Sequence, residues 1–147
     1  MTRAQFKAKT AARLLLGAIF TVFGFNGFLH FIPQPPPAGL VAAFLGGLGA
    51  SGYFFPLLKG TEVIVGLLLL SNRFVPLALT VLAPVVVNIV AFHAFLAPSG
   101  IALPLVIVAL GVYLAYTERA VFAPLLQARS NEAVPASSPR GHASAAA

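Results

Sequence analysis

From Leu14 to Phe122 the chain is a succession of apolar runs separated by short turns. An apolar run of about 20 residues is the length that crosses the hydrocarbon of a bilayer as a helix, and a chain built of several such runs has few alternatives. Composition agrees where it bears on this. Of 147 residues, 59% are hydrophobic and 8% charged, and the mean hydropathy is +0.96, outside the range of soluble globular domains. The length leaves room for three or four spans in one bundle and none for a second domain. The absence of cysteine excludes disulfides, iron–sulfur clusters and covalently attached haem.

The punctuation sets the spans. The opening "MTRAQFKAKTAAR", residues 1–13, carries Arg3, Lys7, Lys9 and Arg13 and no acid. It leads into the first span, residues 14–32. The pair resembles a secretory signal, but the apolar run is too long and ends in "HFIPQPPP" without a small-residue cleavage pattern. "PQPPP" stops the helix. "AGLVAAFLGGLGASG" is apolar, uncharged and glycine-rich, and reads as a short interfacial or re-entrant helix. The second span, 53–70, has Pro56 in its first turn, where a missing N–H costs little. After "SNR" comes the third, 74–96, with Pro76 in its first turn and Pro84 inside, where a kink is expected. "APSG" leads to the fourth, 101–122. Residues 127–147, rich in Ala, Ser and Pro, are expected to be a disordered tail. The fold class is therefore all-α: a polytopic four-transmembrane-helix bundle with a short helix between spans 1 and 2.

A net charge of +6 suggests nucleic acid in a soluble protein. Here the basic residues flank apolar runs, so nucleic acid is not the expected partner and the lipid bilayer is. With four spans, Arg3, Lys7, Lys9, Arg13, Arg73, Arg119, Arg129 and Arg140 fall on one side and Lys59 on the other. The excess of basic residues predicts both termini on the cytoplasmic side.

That orientation puts six polar residues in one outer layer. Lys59 and Glu62 lie roughly 9–14 Å below the start of span 2, Asn26 and His30 within about two turns of the end of span 1, and Asn88 and His93 near the end of span 3. Asn26 and His30 share a helix face, as do Lys59 and Glu62, whereas Asn88 and His93 diverge by about 140°. Each has a plain structural reading. Lys59 can snorkel and pair with Glu62 as an anchor, His30 can sit at the interface, and the asparagines can join helices. Each also has a functional one: Glu62, Lys59 and His30 as proton-transfer candidates, and Asn26, Asn88 and His93 as ligand-binding ones. The glycines read as close-contact positions, since no phosphate-loop spacing is present. No zinc motif and no serine–base pair is present, so no metal is expected. A haem between His30 and His93 is weaker because Asn88 and His93 cannot both face inward.

"FGFNGFLHFIP", followed by "SGYFFPLLKGTEVIVGLLLLSNRFVPLALTVLAPVVVNIVAFH", resembles the DoxX-like family of small bacterial membrane proteins. The likeness runs from about Leu14 to Phe122, and "LLKGTEVIVGLLLLSNRFVPLAL" is its most specific part. It implies a four-helix bundle in the bacterial inner membrane, with Asn26, Lys59, Glu62, Asn88 and His93 at the family's motif positions. Some relatives are described as membrane subunits of a thiosulfate:quinone oxidoreductase, others as partners in an oxidoreductase complex handling thiol stress. The implied function is a membrane subunit of a redox system that binds a quinone-like or other small apolar ligand in the outer half of the bundle. A membrane or soluble redox subunit is then the partner. A non-enzymatic scaffold or assembly partner is the rival reading, a small transporter a third, and a homo-oligomer is open to all of them.

Overall fold

A computed structural model of the chain describes residues 2–126; the expected tail, 127–147, lies outside them. The described residues form six α-helices: α1 (Arg3–Leu29), α2 (Gly39–Ala50), α3 (Phe54–Leu70), α4 (Val75–Phe95), α5 (Ala102–Thr117) and the single turn α6 (Arg119–Phe122). The basic opening is helical and continuous with α1. Thr2 caps it: its hydroxyl accepts from the Gln5 N–H at 3.3 Å, and the Gln5 side chain accepts from the Thr2 N–H at 2.8 Å. This reciprocal box satisfies two donors that a helix start otherwise leaves unpaired. α1 ends at Leu29, three residues before the expected stop, because His30 turns left-handed, with φ 51°.

Two helices, α1 and α4, are long and apolar enough to cross a membrane. A third candidate is the pair α2 and α3, bent by 89° at a short break. α5, with 16 residues, spans only about 24 Å as a helix, short of the roughly 30 Å of hydrocarbon. Helices this apolar belong in a lipid bilayer. Their lengths carry two or three of the four expected spans. α4 stays helical through Pro84.

α1, α3, α4 and α5 pack as a ring of neighbours in the order α1, α3, α4, α5 and back to α1. The shared core is Leu16 and Phe20 from α1, Val65 and Leu69 from α3, Ala78, Leu79 and Leu82 from α4, and Ile107 and Leu114 from α5. The tightest seam is the antiparallel pair α1 and α3. A Cβ on Gly17 would lie 3.0 Å from the Gly66 carbonyl oxygen, and one on Gly24 would lie 2.9 Å from the Val63 nitrogen. Only glycine allows backbones this close. The glycines of "GGLG" do not serve this purpose, since Gly46 and Gly47 have nothing within 4 Å.

One end of the ring gathers the basic residues. Arg13, 9% exposed, donates through Nη1 to the Leu69 carbonyl and, at 3.0 Å, to the Leu70 carbonyl. These belong to the last turn of α3, where carbonyls lack the i+4 donors of a helix interior, Leu69 accepting instead from the Asn72 N–H at 3.2 Å, and a cation also meets the negative end of the helix dipole. Lys9 pairs with Glu118 at 2.6 Å, tying α1 to the end of α5. Lys59 is at the opposite end of α3.

Candidate functional site

Of the six expected polar residues, the structure joins Lys59 and Glu62. Their ammonium and carboxylate are 2.8 Å apart, with Glu62 2% exposed and Lys59 partly exposed. Their seat is made by α1. The absence of a side chain at Gly24 leaves room for the Cβ of Glu62, and Gly27 has the stem of Lys59 lying over it, where any Cβ would collide. The lysine thus packs its methylenes on bare helix surface while its head reaches back to a buried carboxylate. Glu62 stands one turn from Val65 and closes the apolar core at this end. Thr21, on the same seam, has a buried hydroxyl oxygen without a hydrogen-bond partner, pressed against Gly66.

The other four are placed separately. The Asn26 side-chain oxygen accepts from the Ile32 N–H at 2.6 Å, and its carbonyl accepts from the His30 N–H at 2.9 Å. Asn26 therefore shapes the turn that ends α1. His30 is exposed in that turn. Asn88 is exposed on α4 and donates to the Pro84 carbonyl of its own helix at 3.1 Å. His93 is half-buried, with Nδ1 2.8 Å from the Ile89 carbonyl; that contact makes Nδ1 the protonated nitrogen. Its ring meets Phe92 edge-on, 5.2 Å between centroids, and packs by Gly100. Among the described residues, His30 follows α1 and His93 lies on α4, and these two helices are diagonal in the ring. No cluster of three metal-ligating side chains is present among the described residues.

A concavity lies elsewhere. An apolar groove of about 810 Å³ runs between α4 and α5, floored by Leu82 and Ile107 and walled by Val86, Val90, Gly111 and Ala115. Thr80 is the polar residue that lines it, and its hydroxyl already donates to the Pro76 carbonyl at 2.9 Å. The space is within the range that holds a cofactor-sized molecule. It offers shape and apolar contact, not hydrogen bonds. Small residues at Ala83, Ala91, Gly111 and Ala115 are its sequence signature, hidden in runs that are apolar on every face. Arg13 is the other residue whose role the sequence conceals, because its partners are main-chain carbonyls.

Comparison of the chain with protein-family models, with curated proteins and with solved structures found no match in any of the three.

Proposed function

We propose that this is a DoxX-like multi-pass protein of the bacterial inner membrane that serves as a membrane subunit of a redox system and holds a quinone-like or other apolar ligand. Four spans are favoured by the ring of α1, α3, α4 and α5 around one core, with α6 extending the short α5. Gathering Lys9, Arg13 and Glu118 at one end supports both termini being cytoplasmic. The observation that carries the ligand reading is the α4–α5 groove. The ligand site accordingly moves from the polar layer to this groove, which suits an isoprenoid tail better than a polar ring. Lys59 and Glu62 then anchor α3 against α1.

Gly111 gives the test. A Cβ there meets nothing within 4 Å, so Gly111→Leu fills the groove without disturbing the seams. Native mass spectrometry in mild detergent should find an apolar ligand on wild type and lose it in Gly111→Leu. Empty wild-type protein, or equal retention in the variant, refutes the groove as a ligand site.

The second reading, an assembly partner for other membrane proteins, is favoured by Asn88. An exposed amide on an apolar helix gains by bonding a neighbouring helix in the bilayer. Loss of a co-purifying subunit in Asn88→Leu, with ligand occupancy unchanged, supports that role.

A further inference from the structure

A second concavity, about 380 Å³, lies between the first turns of α1 and the last turns of α5 and is lined by Gln5, Tyr113, Tyr116, Thr117 and Arg119. Its chemistry differs from that of the groove. The Arg119 guanidinium is held 4.6 Å from the centre of the Tyr116 ring, and its Nη1 reaches the Tyr116 carbonyl at 3.3 Å. Most of its five N–H donors are left to point elsewhere. The Gln5 side-chain oxygen is engaged by the helix cap, so the part of its side chain left to bond a ligand is the donor amide. Tyr113 and Tyr116 bring hydroxyls. Among the described residues no carboxylate lines the cleft, and the neighbouring Glu118 is neutralised by Lys9.

The cleft is thus a set of donors around one positive charge, at the end of the ring that also carries Arg3, Lys7 and Arg73. Beyond Tyr113, the exposed face of α5 continues apolar through Ala109 and Val106. A phosphate above an acyl chain matches that order, with the tyrosines at the depth aromatic residues favour in membranes. We propose that this cleft binds the headgroup phosphate of an anionic phospholipid, with Arg119 and Gln5 as its donors. The inference rests on this end of the bundle lying at a membrane surface and is independent of any ligand in the α4–α5 groove.

The full chain, purified in mild detergent, is incubated with phosphatidylglycerol or phosphatidylcholine, and retained lipid is counted by native mass spectrometry. Wild type should keep phosphatidylglycerol over phosphatidylcholine. Arg119→Gln should lower that retention roughly tenfold, the value of a charge-assisted hydrogen bond of about 1.4 kcal/mol or more. Arg73→Gln, which removes the same charge from the same end outside the cleft, should leave it unchanged. Arg119 is exposed and bonds only to Tyr116 among the described residues, so these variants should fold, as checked by circular dichroism. Equal losses in Arg73→Gln and Arg119→Gln overturn the site in favour of diffuse attraction. Displacement of the lipid by equimolar inorganic phosphate overturns it in favour of a free-anion site. Recovery of the protein from cells without detergent refutes the membrane premise separately.

Discussion

Gly66→Ala should destabilise the protein while Gly60→Ala, on the same helix, should stabilise it. In isolation both changes favour a helix, by up to about 1 kcal/mol each. At residue 66 the added methyl would sit 2.6 Å from the Thr21 nitrogen and 2.9 Å from the Gly17 carbonyl oxygen, and would also collide with the Thr21 hydroxyl. Two of these obstacles are backbone, so no rotamer change relieves them and α1 must back away from α3. Overpacking of this kind costs about 1–3 kcal/mol. The retreat also loosens neighbouring contacts at Gly17 and Gly24, so the net should be a loss of about 1–2 kcal/mol after the propensity gain is subtracted. At residue 60 the methyl meets nothing within 4 Å, and a gain of about 0.5–1 kcal/mol should survive. Midpoints of SDS-induced unfolding in mixed micelles, read by circular dichroism, should move in opposite directions. Movement in the same direction, or a Gly66→Ala variant as stable as wild type, refutes the claim that the α1–α3 seam is at backbone contact.

Lys59→Met should leave the Glu62 carboxylate buried and alone, lowering stability by about 3 kcal/mol, whereas Lys59→Met with Glu62→Leu should recover most of it; a double-mutant cycle by the same unfolding assay checks the coupling. If Glu62 instead serves a ligand, the double variant keeps its fold and loses ligand occupancy. Arg13→Met should cost about 1.5–3 kcal/mol by leaving the Leu69 and Leu70 carbonyls without that donor, and faster hydrogen exchange should be confined to the α3–α4 turn and the helix ends beside it. Uniform exchange across the bundle would count against a local cap.

Much of the fold was legible because the interruptions are chemical. Pro56 and Pro76 mark helix starts, "PQPPP" and "SNR" mark stops, and the structure begins α3 and α4 within a residue of where those signals put them. The Lys59–Glu62 pair was legible too, since a three-residue spacing puts both on one helix face. Azimuth was not readable. Asn88 is nine residues, about two and a half turns, from Leu79. Because Leu79 is in the core, Asn88 must face away. Which stripe of an all-apolar helix turns inward is decided by packing volume, and that leaves little trace in hydropathy. The same blindness hid the groove. The seam glycines, Gly17, Gly24, Gly27 and Gly66, could be told from Gly46 and Gly47 only by knowing which helix lies opposite.

The ring order has a consequence for the birth of the molecule. Synthesis delivers α1 first and α5 last, yet these two are neighbours, latched by Lys9 and Glu118 across 109 positions of chain. Until α5 arrives, the incomplete bundle leaves one flank of α1 and one of α4 without their permanent neighbour. The α1–α3 seam can zip up while the ribosome is still at work, because the two helices are separated only by the short α2 segment. Closure cannot occur until α5 has been made, so the nascent bundle must be guarded from other hydrophobic chains until then.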